Sequence, residues 1–123
     1  MPGPFDIDNW TTQLRKGLLE MCILNLLSTG EMYGYDLVKR MTDLRGLLIS
    51  EGTVYPLLSR LRRAGLLETR IEESSSGPAR RYYALAREGE RVRNQMNGYW
   101  NSLVIEIETL QHAPTRRTGG TES

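Results

Sequence analysis

The sequence predicts a mainly α-helical chain with one small β-hairpin, and three observations carry that prediction. Apolar residues recur at helical spacing over separate stretches ahead of Gly65. The period then shortens to alternation on either side of a Ser-Gly-Pro loop, and a long helical stripe follows. At 123 residues, 39% hydrophobic and 25% charged, the chain suits one compact domain. Such a chain buries only about two-thirds of its unfolded surface, so a second copy packed against it would add stability.

Residues 1–10 read as an N-terminal arm. Residues 11–27 hold no proline, and Leu14, Leu18, Leu19, Met21, Cys22, Ile23, Leu24, Leu26 and Leu27 crowd most of the circumference in the second half, which predicts a central, buried helix. Ser28-Thr29-Gly30 ends it. A short second helix follows over about residues 35–44, with Leu37, Val38 and Met41 inward and Lys39, Arg40 and Asp43 outward. Arg45-Gly46 interrupts the pattern. A third helix starts between Ser50 and Thr53 and stops at Gly65, and its Val54, Leu57, Leu58 and Leu61 form a single apolar stripe.

The period changes at Leu66. Leu67, Thr69 and Ile71 alternate with Glu68, Arg70 and Glu72, and Arg81, Tyr83 and Leu85 alternate with Arg80, Tyr82 and Ala84. Between them lies the polar turn Glu73-Ser74-Ser75-Ser76-Gly77-Pro78, so the two strands form an antiparallel hairpin. Residues 87–111 return to helical spacing, with Val92, Met96, Tyr99, Trp100, Leu103, Val104, Ile107 and Leu110 on a face too wide for solvent. Residues 112–123 lack periodicity and read as a disordered tail.

Three helices followed by a hairpin is the order of a winged helix-turn-helix, here with a C-terminal helix suited to dimerisation across residues 87–111. In that fold the third helix enters the DNA major groove and the hairpin tip reaches an adjacent groove or the backbone. Opposite its apolar stripe, the third helix displays Gly52, Pro56, Ser59 and Arg63, flanked by Thr53 and Arg60 on one edge and Tyr55 and Arg62 on the other. Hydroxyls and guanidinium groups suit phosphate, and an arginine can also donate bidentately to guanine, worth roughly 1–3 kcal/mol of discrimination. Pro56 is tolerated in the first turn if Gly52 or Thr53 is the N-cap. On the wing, Arg80 and Arg81 flank the Ser-rich tip and read either as backbone anchors or as solvated partners of Glu68, Glu72 and Glu73.

The totals restrict the function further. Net charge is only +1, which argues against indiscriminate coating of nucleic acid. Residues 50–85 carry six basic and four acidic side chains, the one folded stretch with a basic excess. The lone Cys22 has no partner for a disulfide or a metal site, and neither metal nor cofactor is expected. No nucleophile with its base, paired carboxylates or phosphate-cradling glycine loop is present, so an enzyme is not expected. With no signal-like N-terminus and no apolar run near the ~20 residues of a membrane span, the expectation is a cytoplasmic protein without membrane contact.

The stretch from Leu18 to Gly89 resembles PadR-type regulators. Its most specific pieces are Tyr33-Gly34-Tyr35 opening the second helix, Gly52-Thr53-Val54-Tyr55-Pro56 opening the third, and Arg81-Tyr82-Tyr83-Ala84-Leu85 in the second wing strand. The resemblance implies a winged-helix head over residues 11–86, a two-fold dimer made by the C-terminal helix, and repression of an operator that a small ligand can relieve. It makes Thr53, Tyr55, Ser59, Arg60 and Arg63 recognition-helix candidates, and Arg80 and Arg81 wing candidates. The short C-terminal helix resembles the small branch of the family, with Val92, Met96, Tyr99, Leu103, Ile107 and Leu110 as dimerisation residues. Where that family commonly has Thr before the closing Glu-Gly, this chain has Ala86 and Arg87, which implies a weaker cap on the last helix.

Trp100, with Met96 and Trp10, is the candidate platform for a flat aromatic or drug-like effector at the dimer junction; packing alone is the competing reading of the same residues. Tyr33, Tyr35, Tyr82 and Tyr83 read as packing residues with hydroxyls at the surface. Two alternatives to an effector-responsive repressor stay open: a winged helix that binds protein, and a ligand-insensitive DNA-binding protein. The Ser and Arg face of the third helix favours DNA over protein.

Overall fold

The computed structural model describes residues 3–116. Helix α1 (Ile7–Leu26) runs into a 3-10 turn (Leu27–Thr29), and a short strand β1 (Met32–Tyr33) leads into α2 (Gly34–Thr42). Helix α3 (Glu51–Arg63), strands β2 (Leu67–Glu72) and β3 (Arg80–Leu85), and helix α4 (Arg87–Gln111) complete the order. This is the winged helix-turn-helix with a long C-terminal helix. Residues 113–116 carry no regular secondary structure, and the rest of the expected tail, residues 117–123, lies outside the described residues.

Helix α1 begins at Ile7, so part of the expected arm is helical. Asp6 is the cause: as N-cap it accepts a hydrogen bond from the Asn9 N–H at 3.0 Å. Apolar periodicity missed this turn because Ile7 and Trp10 are both exposed there and have no core to face. Further along, α1 contributes Leu19, Ile23 and Leu24 to the core. They meet Leu37, Val38 and Met41 of α2 and Val54, Leu57, Leu58 and Leu61 of α3, and all are buried as the helical stripes require. Burial of each such side chain is worth about 1.5–3 kcal/mol.

Gly65 ends α3 with φ +82. The Gly65 N–H donates to the Arg62 carbonyl and the Leu66 N–H to the Leu61 carbonyl, both at 3.0 Å, the paired bonds of a Schellman stop. The hairpin register sets Leu67 opposite Leu85, Thr69 opposite Tyr83 and Ile71 opposite Arg81. Of these, Leu67 and Tyr83 are buried, so the inward parity of the alternation holds at the base of the wing and ends toward its tip. The sheet has a third strand: β1 pairs antiparallel with β3, Met32 opposite Tyr83 and Tyr33 opposite Tyr82, giving the order β1-β3-β2. Two residues are too few to show alternation, which is why the sequence pattern left β1 unread.

Helix α4 starts at an Ala86 N-cap with no side-chain hydrogen bond. It packs along α1 through a polar clasp in which the Asn25 and Asn97 amides exchange two hydrogen bonds at 2.8 Å. Arg93 also donates to the Asn25 oxygen at 3.0 Å while pairing with Glu90. The apolar stripe of α4 is only partly covered within one chain: Val92, Met96, Trp100 and Leu103 are half-buried, whereas Tyr99, Ile107 and Leu110 are exposed.

Candidate nucleic-acid interface

Helix α3 carries its exposed residues on the side away from the core. Gly52, Thr53, Tyr55, Pro56, Ser59, Arg60 and Arg63 are all solvent-exposed. The N-cap is Ser50, not Gly52 or Thr53, so Pro56 sits inside the helix beyond its first turn. Its missing N–H therefore leaves the Gly52 carbonyl without its intrahelical donor, and the exposed position of Gly52 lets water serve instead. The first turn is tightened: the Ser50 carbonyl accepts from both Thr53 and Val54, at 3.0 and 3.2 Å. Arg60 is tied by a 2.6 Å ion pair to Glu20 of α1. Among the described residues no ion pair involves Arg62 or Arg63.

Among the described residues Arg80 and Arg81 make no ion pair, and one of the carboxylates expected beside them, Glu72, is held by Arg70. Arg70 takes both acidic neighbours, pairing with Glu31 at 2.5 Å and with Glu72 at 2.9 Å. The hydrogen bond from Arg70 holds the Glu31 carboxyl below its ordinary pKa, and the Glu31 and Glu72 carboxylates push the guanidinium pKa upward. Arg70 also lies over the Tyr82 ring, 4.5 Å from its centroid, and Arg80 lies over Tyr33 at 4.9 Å. Arg80, at the tip end of β3, is thereby held by an aromatic face instead of an acid. Arg81, across the strand from Ile71, is exposed.

Sequence reasoning missed the tyrosine row. Tyr33 packs against Tyr82 at 5.7 Å and Tyr35 at 6.1 Å between ring centroids, and Tyr35 is 56% exposed at the start of α2. Gly34, between two of them, packs on the buried Tyr83: a Cβ there would stand 3.0 Å from the Tyr83 ring. Partial burial, then the Glu51 charge, raises the Tyr55 hydroxyl pKa, with Tyr83, Tyr33 and Tyr35 as further neighbours. Tyr55 therefore remains a neutral donor at physiological pH. The Tyr33-Gly34-Tyr35 motif was visible in the sequence, but the contact of Tyr33 with Arg80 depends on the β1–β3 pairing.

On another face of α1, that helix and α4 flank an open apolar groove of about 630 Å³. Leu14, Gly17, Leu18 and Met21 line it from α1, and Val92, Met96, Tyr99, Trp100 and Leu103 from α4. Trp100 and Met96 thus share one groove. Trp10 does not line it; it lies in the first turns of α1, half exposed. Ile107 and Leu110 continue the exposed stripe beyond it. Among the described residues no cluster of three or more His, Cys, Asp and Glu could hold a metal, and no helix is long and apolar enough to cross a membrane.

Residues 23–95 match the model of the transcriptional regulator PadR-like family. The chain is 33% identical to a PadR-like transcriptional regulator from Bacillus cereus, over 83% of this chain and 99% of that one, with a TM-score of 0.73. A PadR family regulator from Eggerthella lenta is also 33% identical, over 88% and 94% of the two chains, with a TM-score of 0.75. An uncharacterized protein from Lysinibacillus sphaericus is 25% identical over 87 residues, 69% of this chain and 80% of that one. With more than half of its length inside the family model and the winged-helix order intact, the chain belongs to the PadR-like family of transcriptional regulators, which are DNA-binding proteins and not enzymes.

Proposed function

We propose that the protein is a homodimeric, sequence-specific repressor that sets its two α3 helices into successive major grooves of an inverted-repeat operator. The observation that carries this reading is the exposed α3 face of Ser59 and Arg63, beside the wing residues Arg80 and Arg81; among the described residues none of these three arginines makes an ion pair. Arg63 reads base edges; Thr53, Tyr55, Ser59, Arg60, Arg80 and Arg81 hold the backbone, with Tyr35 added to that set. Residues 87–111 supply the dimer contact through Val92, Met96, Tyr99, Leu103, Ile107 and Leu110, because two-fold symmetry lets the exposed stripe of one copy bury that of the other. Half-sites then lie about one helical turn, or a multiple, apart.

The groove of Met96 and Trp100 supports a flat aromatic or drug-like effector at the dimer junction. Such a ligand releases DNA only if it binds one spacing of the two heads more tightly than the other. The deciding experiment titrates the protein against a labelled fragment of its own upstream region and against a scrambled duplex at fixed salt. Binding of two protomers per site, at least ~10³-fold tighter than to scrambled DNA, is the expected result. Equal affinity for both would count against the operator reading and favour a winged helix that binds protein.

A further inference from the structure

We propose that the DNA-binding surface extends onto α1 through a phosphate-binding cleft rimmed by Lys16, Thr53 and Arg60, and that Glu20 controls Arg60 within it. The proposal rests on the DNA-binding reading above and deepens it. Helices α1 and α3 leave between them a cleft of about 330 Å³ with Leu19, Pro56 and Leu57 at its apolar base. A Cβ on Gly52 would meet nothing nearer than the Ser50 Oγ at 3.8 Å, so the α3 backbone is open to close approach there.

The position of the cleft follows from the geometry of α3. An α-helix about 10–12 Å across nearly fills a major groove about 12 Å wide, so a phosphate strand lies along each edge of it. Tyr55 and Arg62 occupy one edge of the recognition face. Thr53 and Arg60 occupy the opposite edge, where Lys16 of α1 faces them across the cleft. With the recognition face in the groove, the second strand runs against this rim. An ammonium, a guanidinium and a hydroxyl then converge where a phosphodiester has to pass.

The charges are unequal. Glu20 neutralises Arg60 through the 2.6 Å pair, whereas Lys16, one helical turn earlier on α1, makes no ion pair among the described residues. The rim therefore keeps one net positive charge in the free protein, enough for a first phosphate on Lys16. Arg60 reaches a phosphate only by leaving Glu20. That exchange is easy, because the pair is partly exposed, with side chains 61% and 34% accessible. Glu20 thus limits how strongly the edge of the recognition helix grips DNA of any sequence.

The test measures binding to the upstream fragment and to a random-sequence duplex across a salt series, for the wild type, Lys16→Gln and Glu20→Gln. Lys16→Gln is expected to weaken both complexes several-fold by the same factor, and to flatten the slope of log K against log salt by about 0.9, one phosphate contact. Glu20→Gln is expected to strengthen both several-fold and to steepen the slope by about the same amount. An unchanged slope and affinity in Lys16→Gln would overturn the cleft while leaving the DNA-binding reading intact. Loss of operator preference in Glu20→Gln, with no gain on random DNA, would overturn the role given to Glu20 and make it the residue that orients Arg60 for base reading. A wild-type protein that binds neither duplex would overturn both readings together.

Discussion

Gly89 of α4 packs directly on the main chain of Leu66: a Cβ at position 89 would overlap the Leu66 carbonyl oxygen, which also accepts a 3.0 Å hydrogen bond from the Ala86 N–H. The first turn of α4 is thus seated on the residue before β2, and this contact sets the angle at which the last helix leaves the winged-helix head. Gly89→Ala cannot be absorbed by a rotamer change, since the obstacle is backbone. The expected loss is about 3 kcal/mol, the upper end of ordinary overpacking, measured as the shift in the urea midpoint. Gly98→Ala in the same helix meets nothing within 4 Å and should stabilise by roughly 0.5–1 kcal/mol. Equal effects of the two substitutions would show that the Leu66 contact is not the constraint.

The Asn25–Asn97 clasp fixes the register of α1 against α4. Asn97→Ala leaves Asn25 with Arg93 as its one remaining side-chain partner among the described residues. A cost of about 1–2 kcal/mol is expected. A double-mutant cycle with Asn25→Ala should return a coupling energy of at least about 0.5 kcal/mol, and additive losses would mean that the two amides act independently.

Arg63 and Arg80 differ in surroundings and should differ in consequence. Arg63→Ala is expected to lower operator affinity by roughly 1–3 kcal/mol with little change on scrambled DNA. Arg80→Ala, which removes the cation from the Tyr33 face, should weaken binding to every sequence alike and reduce the salt slope by about 0.9. The same loss on all duplexes for Arg63→Ala would assign it to the backbone.

Tyr99 is 73% exposed in a single chain although it belongs to the apolar stripe of α4. Tyr99→Glu should therefore leave the monomer fold intact. In the proposed dimer it buries a charge in an apolar interface, at a cost of several kcal/mol. Sedimentation velocity should show a shift from dimer to monomer. A dimer of undiminished affinity would exclude this face from the interface.

Partial burial raises the Cys22 thiol above its ordinary pKa of 9.0. The folded protein therefore holds the neutral thiol more tightly than the unfolded chain does. Its contribution to stability is complete below pH 9.0 and is lost as pH rises through the higher folded value. Alkylation by iodoacetamide in mildly alkaline buffer should be slower than for a free thiol, accelerating on unfolding, and Cys22→Ala should flatten the alkaline decline in stability. Alkylation of the native protein at the free-thiol rate would contradict the burial.

Local periodicity carried much of this architecture. The stripes of α2 and α3 depend only on residues three and four apart, and the wing depends only on alternation, so each could be read before any contact was known. The α3 stop at Gly65 and the extent of α4 were legible for the same reason. Asp6 was legible too, as a capping residue ahead of Asn9, but the search for an apolar stripe passed over it because that turn has no core to face.

What only the tertiary structure decided are the partners of polar side chains far apart in the chain. Arg60 meets Glu20, Arg70 meets Glu31, Asn25 clasps Asn97, and Arg80 finds the ring of Tyr33. The period of a helix or strand states which face is apolar, because burial is a property of one residue against the whole core. It does not state which exposed group will stand beside which, because that depends on how the packed elements meet. The core was therefore determined by the sequence pattern, and the electrostatics of the DNA-facing surface by the packing of α1, α3 and the three-stranded sheet.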